Sequence, residues 1–324
     1  MNALRFACVL AITFGFSSTG TAQVYPSRPI TIVVPFSAGG PTDTLARLMG
    51  ERMRGTLAQT VLVENTTGAG GSIGVAKVVR AAPDGYMVGI GHWGTHVVNG
   101  AYYSLPYNLL TDLEPVAMIA TNPQVIVSKA AVPARNLKEL IAWISTNEGK
   151  VLIGNGGIGA SAHMGAIYFQ NAIGKTLQHV PYRGGAPAMQ ALLGGEIDLY
   201  VTQVANITAH LKTGRIRAYA VTAKTRQAAA PEIPTVDEAG LPGLHTSVWH
   251  GIWAPKDTPR DIIMKLNAAI VESLADPGVR ERFAALGQEI PEREQLTPEA
   301  LAAHHKAEID KWWPLIKAAG IKAE

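Results

Sequence analysis

The sequence predicts an α/β protein of two domains, with mainly parallel sheets flanked by helices. Three observations predict it. From about residue 30 to 223, short runs rich in β-branched residues alternate with stretches of helical periodicity, the pattern of parallel strands joined by crossover helices. The chain has 324 residues, which favours about two domains and leaves enough apolar residues for a core in each. Beyond residue 258 the alternation stops, and two amphipathic stretches follow with no strand between them.

The elements follow in order. "ITIVVPF" reads as a first strand, and Gly39-Gly40-Pro41 leads into a helix to about Met53. "TVLVEN" is a strand before "TTGAGGSIGVAKVVRAA", and "YMVGIG" precedes "HWGTHVVNGAYY". "KVLIGN" precedes "GGIGASAHMGAIYFQNAI", "LQHVPY" precedes "RGGAPAMQALLGGE", "IDLYVT" precedes "QVANITAHLKTG", and "IRAYAVTA" ends in a polar turn. The two terminal stretches each begin Thr-Pro, where threonine caps and proline occupies the first turn. Crossings near 119–124 and 241–247 place 23–122 plus 246–324 in domain 1 and 123–245 in domain 2.

Residues 1–22 read as a cleaved signal peptide: Arg5, an apolar run from Phe6 to Phe16, then Gly20 and Ala22 at the −3 and −1 positions of a cut before Gln23. Cys8 lies inside this leader, so the mature chain would carry no disulfide and no thiol chemistry. The formal net charge of +3 is spread without a basic block, which argues against nucleic acid and against a polybasic membrane patch. A periplasmic location is the simplest expectation.

Glycine turns recur at helix starts, at 39–40, 68–71, 156–159 and 184–185. Such turns let a ligand approach the backbone, and the helix start offers unpaired N–H groups that favour an anion. Three readings compete. "GNGGIG" at 154–159 matches a dinucleotide fingerprint after a strand, but the expected acidic residue about twenty positions on is missing. "GGSIG" at 70–74 offers Ser72 as a hydrolase nucleophile, although "TTGA" separates it from the strand that a nucleophile elbow requires. The third is an organic carboxylate held by backbone donors, with the Thr42 and Ser161 hydroxyls nearby and without catalysis. His92 with His96, and His304 with His305, lack the carboxylate that would complete a metal site.

In "YPSRPITIVVPFSAGGPTD", "VENTTGAGGSIGVAKVVRAAPDGY", "GTHVVN", "GIGASAHM", "VPYRGGAPAMQALLGGEID", "PEIPTVDEAGLPG" and "WHGIWAPKDTP" the chain resembles the substrate-binding receptors of tripartite tricarboxylate transporters, the Bug receptors. The resemblance covers essentially the whole mature chain. It implies a type II periplasmic binding protein that closes like a Venus flytrap on a small carboxylate, with no cofactor and no catalysis. It also implies a monomer that delivers its ligand to membrane permease subunits.

Carried onto this sequence, the ligand-binding set is Phe36, Ser37, Ala38, Gly39, Asp43, Thr95, Gly159, Ala160, Ser161, His163, Gly185 and Ala186. Trp93 and Trp249 are candidate pocket walls. Where many relatives have an aspartate able to meet a ligand ammonium, this chain has Thr202, so an amine-free mono- or dicarboxylate is expected. Trp93 would suit an aromatic one.

Overall fold

The computed structural model of the chain describes residues 24–157, 159–182 and 185–318. The leader expected over 1–22 lies outside them. The first part of the described chain runs β1 (Ile30–Val34), α1 (Pro41–Leu57), β2 (Val61–Asn65), α2 (Ser72–Val79), β3 (Met87–His92), a π-helical turn Gly94–Val98, α3 (Asn99–Tyr102) and the long β4 (Leu113–Lys129). The middle adds α4 (Leu137–Thr146), β5 (Leu152–Asn155), α5 (Ser161–Ile173), β6 (Gln178–Pro181), α6 (Gly185–Gly194), β7 (Leu199–Gln203), α7 (Thr208–Leu211) and β8 (Ile216–Val221). The chain then returns through β9 (Ser247–Pro255) and closes with α8 (Arg260–Ala275), α9 (Pro277–Ala285) and α10 (Pro298–Ala318).

One sheet carries all nine strands in the order β2-β1-β3-β9-β4-β7-β5-β6, with β8 also on β4. The α/β class stands, and the sheet is mixed. The pairings of β1 with β2 and β3, and of β5 with β6 and β7, are parallel. All those made by β4 and β9 are antiparallel. From Leu113 to Pro123 β4 pairs with β9, and from Gln124 onward it pairs with β7 and β8. A single strand therefore runs through an outer half and a middle half. Alternation alone does not show β4 and β9 as strands. β4 carries Pro115 and Pro123, residues that count against an interior strand, and it absorbs irregularity through register shifts.

Helices cover both faces of each half. In the outer half, α1, α8 and α9 bury Leu45, Met49, Met53, Leu266, Ile270 and Phe283 against β1, β3, β4 and β9. On the other face α2 and α10 pack Val75, Val78, Leu301 and Trp312 with Trp249 and Trp253. α10 also meets Met164 and Ile167 of α5, so this cluster joins the halves. In the middle half α4 and α5 cover one face and α6 the other. Each fully buried Leu, Ile, Met or Phe stabilises by about 1.5–3 kcal/mol.

The first of the two terminal amphipathic stretches, 258–287, forms two helices, α8 and α9. Asp276 breaks it in an extended conformation, accepts a hydrogen bond from Val279 N (3.0 Å), and is followed by Pro277 in the first turn of α9.

Candidate ligand-binding cleft

A cavity of about 1070 Å³ opens between the halves. The outer half lines it with the turn after β1, with His92, Trp93 and Gly94, and with Asn122, Val248, His250, Leu286 and Gln288. The middle half contributes Gly159, Ala160, Ser161, Gln203, Ala205 and Asn206. None of these described lining residues is Lys, Arg, Asp or Glu.

The outer wall is built from the turn 35–40. Gly39 takes φ +83°, a backbone conformation that suits glycine. Pro41 opens α1 without needing a hydrogen bond, and Thr44 N donates to Gly40 O (2.9 Å) as the first helical bond. This leaves the first-turn N–H groups of Thr42 and Asp43 at the positive end of a 17-residue helix. Asp43 holds the turn from beneath. Its carboxylate accepts from Gly39 N (2.8 Å), from Arg47 Nε and Nη2 (2.9 and 3.0 Å) and from Asn65 Nδ2 (2.9 Å). These bonds, the one from Arg47 foremost, pull its pKa down to about 2. Asn65 Nδ2 also donates to Phe36 O (2.9 Å), so the same side chain fixes the start of the turn.

The floor comes from the facing ends of β3 and β9, where His92 pairs in register with His250. His92 Nδ1 accepts from Gly94 N (2.8 Å), which puts its proton on Nε2. Burial lowers its pKa to about 4, so the ring is a neutral donor. Phe36 stacks on it at 4.6 Å. His250 Nε2 meets Thr42 Oγ1 (3.1 Å), and burial again keeps that ring neutral. The glycines of "GIGHWGTH" make room for these rings. A Cβ at Gly94 would lie 2.5 Å from His92 Cε1, and one at Gly91 would lie 2.0 Å from His96 Cε1.

The middle wall is the start of α5. Gly159 (φ +75°) donates from its N–H to His163 Nδ1 (3.1 Å), and Met164 N donates to Ala160 O (3.0 Å). The first-turn N–H groups of Ser161, Ala162 and His163 are left as donors of a second helix start. Ser161 Oγ accepts from Gln203 Nε2 (3.2 Å), and Gln203 Oε1 accepts from Asn206 Nδ2 (3.0 Å). Among the described residues, four buried polar atoms on the cleft wall have no hydrogen-bond partner: Trp93 Nε1, Asn122 Oδ1, His250 Nδ1 and Gln288 Oε1. Buried polar atoms are normally paired, so their concentration here marks a place for a polar molecule.

The structure brings Phe36, Ser37, Ala38, Gly39, Gly159, Ala160, Ser161 and Trp93 into the lining. The other predicted residues lie outside it. Asp43 is consumed by Arg47, Asn65 and Gly39. Thr95 is fully buried, bonded to His92 O (3.0 Å) and to His96 Nδ1 (2.9 Å). His163 supports the Gly159 turn and sets its ring against His179. Gly185 and Ala186 open α6 on an exposed surface. Trp249 is buried behind the cleft, with Nε1 donating to Glu308 (3.3 Å). Thr202 is 0% exposed and lies under Asn206, whose Nδ2 donates to its Oγ1 (3.0 Å).

Sequence reasoning missed His92 as a cleft-facing group, and also Asn122, Gln203, Asn206, His250 and Gln288. Asn122 and His250 reach the cleft through β4 and β9, and Gln288 through the segment after α9, none of which alternation reveals. Ser72, the candidate nucleophile, is buried at the start of α2 and accepts from Asn99 Nδ2 (3.2 Å). No hydrogen bond joins it to a histidine. Among the described residues no group of three or more His, Cys, Asp or Glu is placed to hold a metal ion. No described helix is long and apolar enough to cross a membrane.

Two halves sharing one sheet, with a neutral cleft between two helix starts, define a two-lobed solute-binding protein. The chain belongs to the tripartite tricarboxylate transporter receptor family, whose family model matches residues 45–321. Solved structures agree. The periplasmic binding protein BugD is 41% identical, with a TM-score of 0.72 over 93% of this chain and 100% of its own. MatC from Rhodopseudomonas palustris, solved with bound malate, is 35% identical with a TM-score of 0.73 over 90% and 100%. An R. palustris protein solved with adipate is 31% identical with a TM-score of 0.75 over 92% and 99%. The chain is thus a solute-binding receptor of this family.

Proposed function

We propose that this receptor works in the periplasm, binds a small amine-free organic mono- or dicarboxylate in the cleft, and delivers it to a tripartite tricarboxylate-type membrane permease without transforming it. The observation that carries the reading is the convergence of the α1 and α5 starts, from opposite halves, on a cleft whose described lining holds no charged side chain. Helix starts stabilise an anion through N–H groups and the positive end of the dipole. Each charge-assisted bond contributes about 1.5–3 kcal/mol, so three or four suffice for a micromolar ligand after ordering costs. The malate and adipate in the two R. palustris relatives support the same ligand class.

Absence of an ammonium from the ligand rests on the lining, not on Thr202. No described Asp or Glu faces the cleft to meet such a charge. The lobes that would close are 23–122 with 246–324, and 123–245, in a monomer. A ligand that bridges both helix starts binds the closed form better and shifts the equilibrium toward it.

A thermal-shift screen of the mature chain against mono-, di- and tricarboxylates, aromatic carboxylates and amino acids tests the proposal. A ligand at about 100 times its Kd adds about 2.7 kcal/mol, a shift of several degrees. Response to one carboxylate class is the expected result. Silence toward every carboxylate, or a response confined to amino acids, would overturn it.

A further inference from the structure

Gln124 stands where β4 passes from one half to the other. Up to Pro123 the strand pairs with β9, and from Gln124 it pairs with β7. Pro123 offers the ladder no N–H, and Asn122 N donates to Ser247 Oγ (3.0 Å). Side chains take over at this point. Thr246, just before β9, donates from Oγ1 to Gln124 Oε1 (2.7 Å). Thr222 Oγ1 accepts from Gln124 N (2.9 Å) and donates to Thr246 O (2.7 Å). All three residues are buried, and together they tie the two strands that join the halves. The same Gln124 side chain reaches toward the cleft wall. Its Nε2 donates to the carbonyl of Ser161 (2.9 Å), the first residue of α5 and part of the cleft lining. A Cβ at Gly165, one turn further along α5, would lie 2.4 Å from Gln124 Oε1, so the helix seats directly on this amide.

We infer that Gln124 is a positioning residue for ligand binding, which fixes the donors at the start of α5 relative to the strands that join the halves; the inference rests on the carboxylate reading above. Gln124 lies outside the cleft lining, so it acts through Ser161. An amide suits this place because it donates to a carbonyl and accepts from a hydroxyl at once. A carboxylate would only accept, and an apolar chain would do neither. The N–H groups of α1 and α5 must meet one anion together from opposite halves, and hydrogen bonds weaken steeply when misaligned. A first turn of α5 released from the strands would keep its donors but lose their placement. Affinity would then depend on a side chain that the ligand never meets.

Gln124→Met tests this, since it keeps the length of the side chain and removes both of its bonds. Amide exchange, read by NMR in the unliganded protein, reports the tie without a ligand. The N–H groups of Met164 and Gly165 close the first turn of α5 on Ala160 O and Ser161 O. Their exchange should rise about tenfold relative to that of Val127 in β4. Affinity for malate, adipate or benzoate, whichever the parent binds in a calorimetric titration, should also fall about tenfold. Ser128→Ala is the comparator. It removes a buried hydrogen bond to the Tyr219 hydroxyl (2.7 Å) further along β4, and should lower the melting temperature without moving either reading. Thr246→Val cuts only the strand end of the link. It should shift both readings in the same direction by less, and it carries the test if Gln124→Met does not fold. An unchanged exchange ratio would overturn the tie, and a raised ratio with unchanged affinity would overturn its role in binding. Silence of the parent toward all three acids would instead remove the carboxylate reading and the binding role with it, while the exchange ratio would still show whether the tie exists.

Discussion

Asn206 Nδ2 donates a 3.0 Å hydrogen bond to Thr202 Oγ1, and this bond puts a wholly buried threonine beneath the residue that meets the cleft. Position 202 therefore bears on the cleft through Asn206. Asn206→Asp would set a carboxylate on the wall and repel an anionic ligand. Affinity should fall about tenfold, equivalent to about 1.4 kcal/mol, in a calorimetric titration. Thr202→Asp would instead bury a carboxylate, lowering the melting temperature by several degrees without creating amino-acid binding. A stable Thr202→Asp variant that binds an amino acid would refute this account.

Asp43 is the keystone of the first turn. Replacing it by alanine strands Gly39 N and takes the carboxylate partner from Arg47 and from Asn65 Nδ2, which keeps only its bond to Phe36 O. Arg47 is half exposed and rehydrates readily, so the expected loss of stability is about 2 kcal/mol, below that of a fully buried pair. Ligand affinity should fall in parallel, because Phe36 to Gly39 lose their anchor. Chemical denaturation and titration of Asp43→Ala check both effects. Unchanged affinity in a destabilised protein would show that the turn holds its shape without Asp43.

The two glycine turns were legible because their chemistry is local. Gly39-Gly40-Pro41 and Gly159-Ala160-Ser161 announce helix starts, and both line the cleft. The floor was not legible in the same way. His92 and His250 meet only because β3 and β9 pair antiparallel, and Asn122 meets Gln288 only through the bridge between Thr121 and Glu289. Those are long-range registers, and prolines in β4 obscure its strand character. Asp43 and Thr202 show the converse case. Their polarity reads as function in the sequence, whereas burial makes them supports.

The buried histidines predict an acid limit to stability. Burial depresses the pKa of His92, His163 and His305 to about 4, and holds His96 and His250 well below the usual imidazole value. The folded protein keeps these rings neutral, while the unfolded chain takes up protons below about pH 6.5. Their contribution is complete above pH 6.5 and is lost progressively as pH falls toward 4, by up to about 1.4 kcal/mol per pH unit for each ring. Melting curves should shift down by many degrees between pH 7.5 and pH 5. Asp43 adds nothing in this window, since its lowered pKa of about 2 places its loss at stronger acid. A melting temperature constant from pH 7.5 to 5 would mean that these rings are protonated in the folded state.

Closure should depend on the contact between Gly287 and Ala205. Gly287 follows α9 in the outer half with φ +66°, and Ala205 lies in the 3-10 turn Val204–Asn206 after β7 of the middle half. A Cβ at Gly287 would stand 2.4 Å from Ala205 Cβ, so the halves touch there with no room for another methyl. Ala205→Leu would wedge the rim. Ala205 is exposed, so the unliganded variant should melt within a degree or two of the parent. Its carboxylate affinity should nevertheless fall at least tenfold, because closed-form contacts between the α1 and α5 starts would no longer form together. Small-angle scattering supplies the independent reading: the parent should contract when saturated with ligand, and the variant should not. Equal affinity and equal contraction in the two proteins would show that the cleft closes without this contact.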